Sequence, residues 1–268
     1  MREHVEARRP DLLEAAVEAA GGDPFERIDE GTAFLQPAIF CASLVGLDAL
    51  RDLEPDLYAG HSMGELTALV AAGSLSEEDG LRVVAARGRL MQRAAEEGPE
   101  GAMLAVGAGV ETAAELAGPL GLTVANDNSP EQVVLSGPAE AIATARREAK
   151  GRGLRAFKLP IKGAFHSPAM AGVAGEFRAV LDDVELRPPR RPVFSCVTAD
   201  EFDDVRARLT ESLTHGVRWR EVMLRLRERG ASRFVEVGPG QVLTKLVAKT
   251  LGDGVQATPA EELEGARA

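Results

Sequence analysis

Ser62 lies in Gly60-His61-Ser62-Met63-Gly64, a G-x-S-x-G arrangement that puts a hydroxyl on a tight turn between a strand and a helix. The two glycines let the backbone turn sharply and keep bulk away from Ser62. The following helix would aim its free N–H groups at an oxyanion forming beside the hydroxyl, so the chemistry on offer is acyl transfer or hydrolysis. The plainer alternative is a glycine-rich turn with a capping serine, which the flanking strand and helix patterns disfavour. A serine is a poor nucleophile at neutral pH and needs a base. The chain has four histidines, His4, His61, His166 and His215. His4 is close to the N-terminus and has no evident partner. His61 is expected to turn its ring into the packing around the elbow and away from the hydroxyl. His166, in Gly163-Ala164-Phe165-His166-Ser167-Pro168, sits just before a helix, where a loop can return to the mouth of a sheet. His215 occupies another loop before a helix. Position favours His166 as the base, with His215 as second candidate.

These groups need a scaffold. Pro55 to Ala59 reads as a short strand entering the elbow, and Glu65 to Ala72 as the helix leaving it, with Gly73 placed to end it. Upstream, Asp11 to Ala20 and Thr32 to Leu50 read as helices. Ser76-Glu77-Glu78-Asp79 caps another helix that runs to about Ala95. The pattern changes after the Gly98-Pro99 break. Strands at Ala102–Val106, Leu122–Ala125, Gln132–Ser136 and Arg155–Leu159 alternate with helices at Glu111–Ala117 and Ala139–Lys150, and Asp127-Asn128-Ser129-Pro130 reads as a turn. This β-α-β-β-α-β order predicts a ferredoxin-like small subdomain over 101–161, inserted into a larger α/β unit of residues 1–100 and 162–268. The larger unit resumes with helices at Pro168–Val180, Glu201–Leu213, Trp219–Glu228 and Val242–Leu251 and strands at Pro192–Val197 and Arg233–Val237. The tail beyond Gly252 is polar and is expected to fray.

Composition bounds the function. The chain of 268 residues is 45% hydrophobic, enough for a sizeable core, and carries a net charge of −11, which argues against nucleic acid as a general partner. An anionic small molecule would need a local basic patch, for which Arg87, Arg89, Arg93, Lys158, Lys162, Arg190 and Arg191 are candidates. No apolar run spans a bilayer and no secretory leader opens the chain, so no membrane partner and a cytoplasmic location are expected. Cys41 and Cys196 stand far apart in apolar surroundings and are expected to be buried and reduced. No Cys/His cluster has metal spacing, and neither a metal nor a bound cofactor is expected.

Gly60-His61-Ser62-Met63-Gly64-Glu65 resembles the GHSxGE elbow of malonyl-CoA:acyl-carrier-protein transacylases and of the acyltransferase domains of polyketide synthases. Further segments follow in order: Thr32 to Ala42, similar to the family's TQPA helix; Arg87-Gly88-Arg89-Leu90-Met91-Gln92, similar to its RGxLMQ segment; and Ala125 to Pro130 in the small subdomain. Ala164-Phe165-His166-Ser167-Pro168, Val217-Arg218-Trp219 and Val237 to Leu243 complete the set. The resemblance implies an α/β-hydrolase-like fold with a ferredoxin-like insert. It also implies a ping-pong transfer of malonyl from malonyl-CoA to a phosphopantetheinylated acyl carrier protein through malonyl-Ser62, in fatty-acid or polyketide synthesis, by a monomer. His166 would be the base. Arg87 would hold the malonyl carboxylate, as a bidentate guanidinium suits; without the resemblance it reads as a helix-surface arginine. Met63 N–H would serve the oxyanion, and the backbone carbonyl of Ser212 would orient His166. His61 and Asn126 would line the substrate site, and Phe165, in an AFH-type loop, would crowd out a C2 methyl in favour of malonyl. An acyl hydrolase using the same Ser/His pair is the alternative reading. The family's opening strand and FPGQGSQ-type loop have no counterpart here, and the expectation is a natural start upstream of Met1; an inactive, shortened homologue is the other possibility.

Overall fold

Apolar faces and caps fix where the helices of this chain begin and end. The structure is a computed structural model and describes residues 1–50 and 52–265. Helices α1 (Arg2–Arg8) and α2 (Pro10–Ala20) open the chain; Pro10 occupies the first turn of α2, where its missing N–H costs nothing, and Gly21 at φ 73° ends it. Helix α3 (Thr32–Asp48) is apolar on nearly every side and is buried, with Phe40, Cys41, Leu44 and Val45 at or near zero exposure. Strand β1 (Tyr58–Ala59) leads into α4 (Gly64–Ala71), which stops at Gly73, φ 74°. Helix α5 (Glu77–Glu97) starts where Ser76 Oγ accepts the Asp79 N–H, a cap that contributes about 1 kcal/mol.

The next block contains β2 (Gly101–Val106), α6 (Val110–Ala117), β3 (Thr123–Ser129), β4 (Gln132–Pro138), α7 (Ala139–Gly151) and β5 (Ala156–Lys158). Its antiparallel sheet has the order β3-β4-β2-β5, that of a ferredoxin-like plait, and Leu104, Leu116, Leu135 and Ile142 form its own core. The chain then gives α8 (Ala171–Asp182), β6 (Val193–Ser195), β7 (Asp200–Glu201), α9 (Val205–Glu211), α10 (Trp219–Glu228), β8 (Arg233–Glu236), α11 (Val242–Leu251), β9 (Gln256–Pro259) and α12 (Ala260–Gly265). Strand β1 pairs parallel with β6, which pairs antiparallel with β7; β8 and β9 pair parallel in a separate sheet. The α/β architecture with its ferredoxin-like block is the one expected.

Four local expectations change. Only Tyr58 and Ala59 of the entering segment find a strand partner. Asp127 to Ser129 belong to β3, which carries two register shifts, and the turn falls at Pro130-Glu131; these polar residues bond toward the large unit, so their composition misleads. The stretch from Glu201 begins as a strand edge, and α9 starts only after Asp204, whose carboxylate accepts the Ala207 N–H. Beyond Gly252 the described residues, to Gly265, are ordered as β9 and α12, because β8 supplies a pairing edge and Ala257 packs with the Trp219 core; the last three residues lie outside the described ones.

Candidate active site

The elbow places Ser62 in the left-handed region at φ 54°, a strained position for a side-chain-bearing residue. Gly60 is required there: a Cβ on it would lie 2.0 Å from the Gly64 carbonyl carbon, whereas one on Gly64 would meet nothing within 4 Å. Glu65, fully buried one residue into α4, accepts the Cys196 N–H at 2.6 Å and so ties the elbow to the end of β6. Burial pushes the Glu65 carboxyl up to about 7. Cys196 Sγ donates to the Gly60 carbonyl, and burial also raises this thiol's pKa; both cysteines are free and buried. The Met63 N–H, at the head of α4, donates to no backbone carbonyl among the described residues.

His166 Nε2 lies 2.8 Å from Ser62 Oγ, and its Nδ1 lies 2.7 Å from the Ser212 carbonyl oxygen. The carbonyl can only accept, so Nδ1 carries the proton and Nε2 is left as the acceptor for the serine hydroxyl. Burial first, and the nearby Arg87 cation second, push the His166 pKa down to about 3, so the ring is a neutral base at physiological pH. The residue also sits at φ 55°. Its loop is held from outside, where Gly163 N–H donates to the Gly101 carbonyl, and braced within by Ser167 Oγ, which donates to the Ala164 carbonyl. Ser212 contributes only its carbonyl, its own hydroxyl being bonded to Leu209. His215 is exposed on the α9 side, bonded to Glu211 and Thr214, and does not reach the site.

Arg87 is no surface residue. It is 2% exposed, donates from Nη1 to Gln36 Oε1 at 2.8 Å, and places Nη2 3.2 Å from Ser62 Oγ. Burial lowers its pKa to about 10, which leaves it cationic at neutral pH. Only two of its five N–H groups are spoken for, so a carboxylate beside Ser62 would find donors ready. His61 turns away from the hydroxyl, bonds Asn128 Oδ1 at 2.8 Å and meets Trp219 edge-on. Asn126 is buried, forms a parallel bridge with Val217 and lines the cavity with Met63 and Phe165.

That cavity holds about 2230 Å³. It runs from a rim at Lys158 to Lys162 past Ser62 and continues between β1 and β8, where Ile39, Leu57, Phe234 and Leu246 line it. Of the other basic candidates, Arg89 donates to the Ala19 carbonyl, Arg93 pairs with Glu176 and Arg190 reaches the cavity wall. The sequence reading did not single out Gln36, Glu65 or Asn128. Gln36 had a signal, a lone amide in the apolar run of α3; Glu65 had one in following the elbow directly.

The acyl transferase domain family matches residues 24–266. Among curated proteins, the chain is 38% identical to the polyketide biosynthesis protein ThaF of Burkholderia thailandensis, over 91% of this chain and 22% of that protein. It is also 38% identical to the malonyl CoA-acyl carrier protein transacylase of Bacillus subtilis, over 80% of this chain and 71% of that one. It thus spans about a fifth of the first relative's length. Among solved structures, malonyl-CoA:acyl carrier protein transacylase from Xanthomonas oryzae superposes with a TM-score of 0.89 at 33% identity, covering 97% of this chain and 90% of that one.

Proposed function

The chain belongs to the acyl transferase domain family, and from that premise we propose that it moves a malonyl group from malonyl-CoA to the pantetheine thiol of an acyl carrier protein. The observation that carries this reading is a buried cation 3.2 Å from the nucleophile: Arg87 Nη2 beside Ser62 Oγ. A site for neutral acyl chains, including a hydrolase of such chains, has no use for that charge, whereas an acyl group ending in a carboxylate is held by it.

The reaction follows from the hydrogen bonds. Ser62 Oγ attacks the thioester carbon as its proton passes to His166 Nε2, while the Ser212 carbonyl steadies the imidazolium through Nδ1–H. The oxyanion forms beside Met63 N–H at the positive end of α4. The tetrahedral intermediate collapses, the C–S bond breaks, the CoA sulfur takes the proton from Nε2, and malonyl-Ser62 remains. The carrier's thiol then gives its proton to the same nitrogen, its sulfur attacks the ester, and Ser62 leaves with the proton restored. Relatives named as malonyl CoA-acyl carrier protein transacylases support the donor and the acceptor. The test is the intact mass after brief exposure to malonyl-CoA, beside Ser62→Ala. A malonyl adduct that needs Ser62 is expected; folded protein that gains no mass would overturn the reading. Arg87→Ala should lose malonyl transfer while keeping more of its reaction with acetyl-CoA, and an equal loss with both donors would remove the carboxylate role.

A further inference from the structure

Charge is distributed unevenly over this acidic chain. Between 139 and 162 it carries seven arginines and lysines against two glutamates, although the whole has a net charge of −11. Elsewhere most arginines are neutralised on the spot: Arg2 by Asp23, Arg27 by Glu30, Arg208 by Asp203, Arg218 by Glu221 and Arg225 by Glu228. Within 139–162 only Arg152 pairs, loosely, with Glu148 at 3.8 Å. Arg146, Arg147, Lys150, Arg155, Lys158 and Lys162 are exposed and make no ion pair among the described residues.

The fold gathers these cations. Lys158, at the end of edge strand β5, meets Arg146, Arg147 and Lys150 of α7 around a concavity of about 280 Å³ floored by Ile142 and Ala143. The same Lys158 lines the active-site cavity, whose rim continues through Leu159 to Lys162. The basic face is therefore continuous with the mouth of the cavity that holds Ser62. Phe157, 66% exposed, follows the strand alternation to the other face of β5, so the patch itself is formed by cations alone. Unpaired like charges repel one another in the free protein, and an acidic partner removes that repulsion while being steered to the site.

We propose that the α7–β5 face of the ferredoxin-like block docks the acceptor, an acidic carrier protein whose pantetheine arm enters over the Lys158–Lys162 rim. This rests on the acyl-transfer reading above. The double substitution Arg146→Glu with Arg147→Glu should raise KM for a purified holo acyl carrier protein at least tenfold, flatten its salt dependence and leave kcat within about twofold. Transfer to free pantetheine, which has no acidic surface, should be unchanged. Arg225→Glu with Arg227→Glu on α10 makes the same charge change away from the patch and should leave both acceptors near their starting values. An unchanged carrier KM in the α7 double variant would overturn the proposal. So would a rise in KM for malonyl-CoA instead, which would assign the cations to the donor's phosphates. Binding of the holo carrier to the Ser62→Ala protein, read by fluorescence anisotropy, tests the surface without the chemistry. Weaker binding on adding the α7 double substitution is expected even where no acyl-enzyme forms, so failure of the docking surface and failure of the transfer reading give different results.

Discussion

The two groups proposed to react, Ser62 and His166, are held by loops built on different plans. The elbow that carries Ser62 is shaped mainly from within a short run of chain, where Gly60 packs against Gly64, and Glu65 and Gly60 tie it to Cys196 at the end of β6. The loop that carries His166 is shaped from outside, by Gly101 at the start of β2 and by the Ser212 carbonyl after α9. Both residues adopt a positive φ, so both are strained, and in each case the surroundings hold the strain in place. Ser62's position thus rests first on its own turn and His166's first on distant carbonyls.

The largest expected effect separates the two. His166→Ala should slow acylation about 10²–10⁴-fold while the elbow stays intact, as single-turnover release of CoA and an unchanged thermal midpoint would show. Next comes the elbow itself. Gly60→Ala drives a Cβ into backbone and should cost about 3 kcal/mol or more of stability, against less than about 1 kcal/mol for Gly64→Ala. Chemical denaturation of the pair reads the contrast, and equal losses would break the claim that one glycine alone is demanded.

Titration sharpens the comparison further. His166 has its pKa at about 3 when folded against 6.5 when free, so below pH 6.5 the unfolded chain takes up a proton that the folded site refuses. The loop therefore costs stability as pH falls from 6.5 toward 3. Glu65 is the reverse. Folded at about 7 against 4.5 free, it keeps a proton that the unfolded chain releases, and it costs stability as pH rises from 4.5 toward 7. Glu65→Gln preserves the acceptor for Cys196 N–H and should raise stability at pH 7.5 by up to about 3 kcal/mol, with no gain at pH 4. Acylation by the native enzyme should stay flat from pH 8 down to 5; a half-rate near pH 6.5 would show that His166 is not desolvated. The smallest effect concerns Ser212. Because only its carbonyl is used, Ser212→Ala should change kcat by less than about twofold, and a larger loss would give its hydroxyl a role.

Legibility in the sequence followed the same division. The elbow was readable because its demands are met by neighbours in the chain: glycine where backbone touches backbone, then a helix start. Ser76 and the β-α-β-β-α-β order were readable for the same local reasons. From its own residues the base could be ranked but not placed, since nothing in Gly163 to Pro168 announces the carbonyl of Ser212; only the family resemblance pointed to it. Without the family resemblance Arg87 reads as a surface cation on an amphipathic helix; its burial depends on Gln36, 51 positions away, which accepts from it. Strand β9 was missed because Gln256 to Pro259 is polar and becomes a strand only through pairing with β8. Asp127 and Asn128 were misread as turn residues because their polarity serves Arg220 and His61 across the subdomain border.

The two sheets of the large unit share no hydrogen-bonded strand among the described residues, and the catalytic cavity extends into the space between β1 and β8. Amide exchange should register this as a seam. The facing edges of Tyr58–Ala59 and Arg233–Glu236 have no partner strand across the gap among the described residues, so the amides that point into it should exchange early, unlike Tyr58 N–H, which donates to the Pro192 carbonyl, and unlike those of β2 and β4, paired along six positions. The seam runs beside the strand that delivers Ser62. A chain segment laid along that open edge would therefore also shield Ser62 from water.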